Sequence, residues 1–247
     1  LATSMWGAFE GVIMTSATLS VGGDFSLIRD ELGLPEMVRR VSLPSPFDYA
    51  TQGCLRIPKM RSDPGNPDAH NEEIAQLIPE LLVEKKSGLV LFTSWRQMQF
   101  VIGELDASFR SLIICQGELT KSHMLDQHRQ RIDSGTQSYL FGLASFAEGV
   151  DLPGDYCCQV IIAKIPFTVP DDPVGATLYE WIDAKGGNSF AQVMVPTAAL
   201  RLTQAAGRLL RTEQDSGIVT ILDSRLRSRR YGPNLIAALP PFKLLSP

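Results

Sequence analysis

Several familiar parts are missing from this chain of 247 residues. There is no GxxxxGK[ST] phosphate loop, and no Gly-Lys dipeptide occurs anywhere. The chain therefore has no loop of its own to grip a magnesium-bound nucleotide. The one Asp-Glu pair, Asp30–Glu31, lies in a helical context (SLIRDELG) and not after an apolar strand, which argues against a magnesium site. Cysteines number 4 and histidines 3. Cys54, Cys115, Cys157 and Cys158 form no CxxC pair, and His70, His123 and His128 sit at no ligand spacing, so no metal site is expected. No nucleophile elbow and no Ser/His/Asp arrangement is present. The longest apolar runs, such as Gly88–Phe92 and Val160–Ala163, fall far short of the ~20 residues a bilayer span needs. No basic segment followed by an apolar one marks a secretory leader. The chain opens at Leu1, which reads as a piece cut from something longer, with the cytoplasm as the default compartment.

What is present describes an ordinary folded domain. Hydrophobic residues make up 44% and charged residues 20%, enough apolar surface to offset the entropy of ordering. The length suits one large domain. The formal net charge of −4 does not by itself suggest a nucleic-acid partner. Its distribution does. Residues 201–230 hold seven arginines (201, 208, 211, 225, 227, 229, 230) against three acids (213, 215, 223), a local balance of 7 − 3 = +4.

Short apolar runs alternate with longer helical patterns. Strands are expected at Gly11–Thr15, Gly88–Thr93, Ser111–Cys115, Ser138–Leu143, Gln159–Lys164 and Gly217–Leu222, with a weaker one at Cys54–Ile57. They are apolar almost throughout, as strands covered on both faces are. Helices are expected near Glu72–Lys86, Trp95–Ser108, Lys121–Ser134, Val174–Ala184 and Thr197–Arg211. Asn71 and Ser122 are plausible N-caps, and Gly88 and Gly135 plausible helix stops. The order predicts an α/β fold: a mostly parallel sheet with helices on both sides, a three-layer α/β/α domain. Ligands in such folds gather beyond the carboxyl ends of strands. The loops after Thr93, Leu143 and Lys164 are thus the expected working edge. Lys59–Asp68 and Pro166–Pro173 read as irregular loops.

Four segments could carry chemistry. In Gln204–Arg211 (QAAGRLLR), helical spacing puts Gln204, Arg208 and Arg211 on one face, with Arg201 close by and Leu202, Ala206 and Leu209 opposite. Gly207 in mid-helix costs ~1 kcal/mol against Ala, which suggests a close approach there. A bare arginine pair reads first as a solvated basic face; with an amide and a glycine at these spacings the balance reverses toward a phosphate clamp. In Ser145–Gly154 (SFAEGVDLPG), Glu148 and Asp151 offer carboxylates to a ribose, an arginine or a metal-bound water, or form an ordinary turn. In Met14–Ser20 (MTSATLS), Thr15, Ser16 and Thr18 can relay hydrogen bonds or simply cap a turn. In Phe92–Met98 (FTSWRQM), Ser94, Trp95 and Arg96 open a helix where a phosphate could sit; Trp95 reads more as core than as a base-stacking platform.

Taken in order, these segments resemble motifs III, IV, V and VI of a superfamily 2 DNA helicase. The subtype resembled is the XPD/DinG group, nearest its bacterial DinG branch. SPFDY (Ser45–Tyr49), CQGE (Cys115–Glu118), KIPFTVPDDP (Lys164–Pro173) and YGPNLIAALPPF (Tyr231–Phe242) add to the likeness, which spans nearly the whole chain.

The resemblance implies a RecA-like second motor domain, residues 1–247, of a 5′→3′ helicase. A first motor domain, absent here, would carry the phosphate loop, the DEAH box and a 4Fe–4S cluster insert. ATP and Mg²⁺ would be held mainly by that domain, and this chain alone would not hydrolyse ATP at a useful rate. By likeness to the family, Arg208 and Arg211 would be arginine fingers and Gln204 would position nucleotide or water. Glu148, Gly149, Asp151 and Gly207 would line the nucleotide side. Ser94, Trp95, Arg96, Gln116, Ser145, Phe146, Lys164 and Phe167 would touch the DNA strand. Thr15, Ser16 and Thr18 would couple the two sites. Implied partners are single-stranded and forked DNA, DNA–RNA hybrids and the first motor domain. The alternative is a RecA-like module kept for binding nucleic acid or protein without catalysis.

Overall fold

The computed structural model describes residues 6–16, 18–20, 22–167 and 173–246. Ala17 of the Met14–Ser20 segment and residues 168–172 of the Pro166–Pro173 loop lie outside the described residues.

Seven parallel strands form one sheet: β1 (Gly53–Arg56), β2 (Ser87–Phe92), β3 (Ile113–Cys115), β4 (Ser138–Leu143), β5 (Gln159–Ile162), β6 (Gly217–Ile221) and β7 (Lys243–Leu244). Their order across the sheet is β3-β4-β2-β5-β6-β1-β7. The weak Cys54–Ile57 strand proves to be interior, paired with β6 on one side and β7 on the other. The helices are α1 (Ser26–Leu32), α2 (Tyr49–Gln52), α3 (Pro67–Val83), α4 (Trp95–Glu104), α5 (Ala107–Arg110), α6 (Lys121–Asp133), α7 (Pro173–Ala184), α8 (Val195–Ala206), α9 (Arg225–Ser228) and α10 (Gly232–Ala238). A π-helical turn, Phe190–Met194, leads into α8.

The unbroken apolar strands have a direct structural cause. In β2, Leu89 and Leu91 face one core while Val90 and Phe92 face the other, and all four are buried. Alternate side chains of a strand point to opposite faces, so strands of a sheet covered on both sides are apolar at nearly every position, with Ser87, Ser138, Gln159 and Thr220 buried polar exceptions. One core receives Ala198, Ala199, Leu202, Ala205 and Ala206 of α8 with Leu235 of α10. The other receives Ile74, Ile78 and Leu82 of α3 with Met98 and Val101 of α4.

Several sequence expectations need correction. Gly11–Thr15 forms no strand, and Ile13 is 95% exposed. An apolar run becomes a strand only where a neighbour completes its ladder, and here none does among the described residues. Helix α3 begins at Pro67, with the Asn66 side chain accepting the Ala69 N–H; Asn71 is buried inside the helix. Proline suits the first helical turn, whose N–H groups lack partners anyway. The cap of α6 is Thr120, which accepts from His123 N, and not Ser122. Gly88 lies within β2 and stops no helix. The Trp95–Ser108 helix divides at Leu105 into α4 and α5. Helix α8 ends at Ala206, so Gly207 is its C-terminal cap and not a mid-helix residue.

Candidate functional site at the carboxyl end of strand β4

Strand β4 runs into a 3-10 turn, Ala144–Ala147. Gly149 follows at φ +69°, a left-handed conformation that L side chains adopt at a cost. After that reversal the Val150 side chain is buried and its carbonyl meets the segment after α8. Arg208 Nη1 donates to the Val150 oxygen at 3.1 Å, and Arg211 Nη2 donates to it at 2.7 Å. Arg211 also faces the Asp151 carboxylate, Nε to Oδ1 at 3.3 Å. The two arginines meet, but not along a helical stripe. Because α8 stops at Ala206, it is the turn after the helix that brings them to one acceptor.

A buried acid holds this arrangement. Asp215 is 3% exposed. Its carboxylate accepts from Gly154 N at 2.9 Å, Arg211 N at 2.6 Å, Thr212 N at 2.9 Å and Thr212 Oγ1 at 2.5 Å. Burial opposes its ionisation, but these four donors outweigh that and hold its pKa below the ordinary carboxylate value. Asp215 so ties the loop after β4 to the arginine segment. Sequence reasoning missed it; the signal was the Asp-Ser-Gly turn four residues after Arg211.

Ala144, Ser145, Ala147, Glu148, Arg201, Gln204, Ala205 and Arg208 line a cavity of about 190 Å³. Four of the expected site residues, Ser145, Glu148, Gln204 and Arg208, thus share one space. Burial and then the neighbouring Arg211 lower the Arg208 pKa from its usual value, yet an arginine stays charged in any protein. Gln204 Nε2 donates to Thr18 Oγ1 at 3.2 Å, and Ser16 Oγ lies 3.2 Å from the same hydroxyl. Thr15 is exposed.

A second cavity, of about 340 Å³, shares Ser145 with the first and is lined also by Gln116, Leu119, Lys121, Met124 and Phe146. Gln116 Oε1 accepts the Leu143 N–H at 2.7 Å, which continues the β3–β4 pairing past the strand ends. Phe146 is 5% exposed and belongs to the core, so its ring is not free to stack. Lys121, another residue missed in the sequence, donates to the Glu148 carbonyl and sits 5.3 Å from the Phe146 ring centroid.

The remaining candidates stand apart from both cavities. The Ser94 hydroxyl caps α4 by accepting the Gln97 N–H at 3.2 Å. Trp95 is 44% exposed and not core; its ring packs where a side chain on Gly117 would stand. Arg96 is exposed. Lys164 donates to the Pro64 carbonyl at 3.1 Å. Phe167 joins a ring cluster with Phe190 and Tyr231, and the Arg225 guanidinium lies 5.3 Å from its centroid. Arg225 in turn pairs at 2.7 Å with Asp223, which is fully buried and also accepts from Ile165 N.

The donor set suits an anion. Arginines and an amide converge on the small cavity, and among the described residues no group of three or more His, Cys, Asp or Glu could hold a metal ion. All four cysteines are free. Burial raises the Cys115 thiol to about 11 and the Cys157 thiol to about 12, which leaves both protonated and unreactive.

Comparison with known proteins gives the family. The model of the helicase C-terminal domain family matches residues 78–242, more than half of the chain, and the chain belongs to that family. It is 41% identical over 244 residues to the ATP-dependent DNA helicase DinG of Photobacterium profundum, covering 97% of this chain and 35% of that protein. It is 38% identical over 249 residues to the ATP-dependent DNA helicase DinG of Escherichia coli (strain K12), covering 98% of this chain and 35% of that protein. The chain spans about a third of the length of these relatives. A solved apo XPD structure superposes with a TM-score of 0.60 at 19% identity, over 88% of this chain and 42% of that one. The fold is RecA-like, as the sequence implied.

Proposed function

We propose that this chain is the second motor domain of an ATP-dependent 5′→3′ DNA helicase of the DinG type. Its arginines would complete an ATP site whose phosphate loop and Mg²⁺ belong to a first motor domain. The observation that carries this reading is the convergence of Arg208 and Arg211 on the Val150 carbonyl, beside a cavity that also holds Gln204. Positive charge is gathered there, which suits a site completed by phosphate from another domain. Charge building up on a transferring phosphoryl group is stabilised by such guanidiniums, worth ~10³–10⁵ in rate in comparable systems. Gln204 would orient the nucleotide or the attacking water, while Glu148, Gly149, Asp151 and Gly207 shape the nucleotide side. Ser94, Trp95, Arg96, Gln116, Ser145 and Lys164 would follow a single strand, gripping backbone and bases without reading sequence. Forked DNA and DNA–RNA hybrids are the proposed substrates, and a 4Fe–4S cluster is proposed for the part of the protein outside this chain.

The test is Arg208→Ala in the full-length protein. DNA-stimulated ATP hydrolysis should fall by roughly 10³-fold or more, with DNA affinity retained. Wild-type hydrolysis in that variant would refute the arginine-finger role. A full-length protein with no DNA-stimulated hydrolysis at all would instead make this chain a non-catalytic binding module.

A further inference from the structure

Arg201 is the one arginine of the small cavity that has no assigned task. It lies on α8 three residues before Gln204 and seven before Arg208, and all three line the same space. Its side chain is exposed, and it makes no hydrogen bond or ion pair with any described residue. Glu148 lines the cavity as well, yet does not pair with it. Arg208 uses only Nη1, on Val150; its other donors have no partner among the described residues. Gln204 spends its amide nitrogen on Thr18 and keeps its oxygen unpaired among them. The space thus holds two partly or wholly unpaired guanidiniums against one carboxylate, a net positive charge. Its volume of about 190 Å³ is below the roughly 300–1,000 Å³ of pockets that enclose whole ligands, so it suits a single phosphoryl group and not a nucleoside.

We propose that Arg201 and Arg208 together form a seat for one phosphoryl group of a polyphosphate, with Arg201 as a third anion-binding arginine beyond the pair that meets at Val150. Both arginines line the cavity, Arg201 exposed and Arg208 half-buried. Two planar guanidiniums on one tetrahedral oxyanion fix its orientation more firmly than one alone. This deepens the proposed function and rests on its reading of Arg208 as a phosphate-facing residue.

The experiment is calorimetric titration of the full-length protein with inorganic triphosphate at low salt. Wild type is compared with Arg201→Ala, Arg201→Lys, Arg208→Ala and Arg230→Ala. Arg230 is exposed and lines neither cavity, so its variant controls for the loss of one positive charge. Arg201→Ala should weaken binding about tenfold, as loss of a charge-assisted hydrogen bond does, with Arg201→Lys intermediate and Arg230→Ala within about twofold. Thermal melts at the wild-type temperature confirm that each variant is folded. Absence of triphosphate binding by the wild type would overturn the seat. So would an Arg201→Ala affinity equal to wild type, or a loss matched by Arg230→Ala. If Arg208→Ala weakens binding and Arg201→Ala does not, the seat fails while the proposed function stands. Failure of the proposed function shows separately, as normal ATP hydrolysis by full-length Arg208→Ala.

Discussion

Gln204 and Thr18 are 186 residues apart in the chain, and the amide nitrogen of one lies 3.2 Å from the hydroxyl of the other. This hydrogen bond joins the hydroxyl-rich segment near the start of the chain to the helix that leads into the arginines. Nothing else described in that segment is held so directly to the site, and Thr18 is the natural position to probe coupling.

Thr18→Val keeps the side-chain shape and removes the acceptor. Stability should change by no more than about 0.5 kcal/mol, as for other surface substitutions. In the full-length protein, strand unwinding should fall several-fold more than ATP hydrolysis, because the hydroxyl would serve coupling and not the phosphate itself. The ratio of unwinding to hydrolysis is the measurement. An unchanged ratio removes Thr18 from any coupling role.

Asp215 predicts an acid-sensitive joint. Its folded pKa lies below the unfolded value, so its contribution is fully present above the unfolded carboxylate pKa of about 4. It is lost as pH falls through the lower folded pKa. Asp215→Asn should be less stable than wild type at pH 7 by about 1–3 kcal/mol, the cost of buried donors left without good partners. Urea unfolding between pH 7 and pH 3 should show the gap closing below pH 4. A gap of constant size across that range would mean that the carboxylate charge is not what binds the two loops.

Gly149→Ala isolates backbone conformation from packing. A methyl group there would meet only the Lys121 amine, 3.9 Å away, so crowding is not the cost. The left-handed φ is, at roughly 1–2 kcal/mol. For a chain of this size that is a fall in Tm of about 2–4 °C for each kcal/mol. A melt unchanged from wild type would show that the turn can be made another way.

Much of this was legible in the sequence, and the misreadings share physical causes. The both-faces burial of β2 and β5 was visible as nearly uninterrupted apolar runs, because a strand covered on both faces is apolar at most of its positions. Gly11–Thr15 looked alike and formed no strand, since composition reports what a strand needs and not whether a neighbour exists. The meeting of Arg208 and Arg211 was foreseen through the wrong geometry. A helical stripe was extended through Gly207, where the chain in fact turns. Their shared acceptor is a backbone carbonyl, which carries no residue letter. Asn66 and Pro67 were taken into a loop because a proline-rich stretch reads as irregular, although Asn followed by Pro is also how a helix can begin. Phe146 lies in a loop segment of the sequence, after β4, and only the packed sheet shows that its ring is interior.

The parallel order of the sheet leaves a quiet rim. All seven strands run the same way, so Ala144–Val150 departs from one end of β4 while the strand enters at the other, about 16 Å away along its length. At that entry, Ser134–Thr136 forms an exposed turn with Gly135 at φ +81°. A fluorophore, affinity handle or surface tether placed in this turn would sit a strand's length from both cavities. Movement of the arginine-bearing rim could then be followed from a fixed point on the same domain.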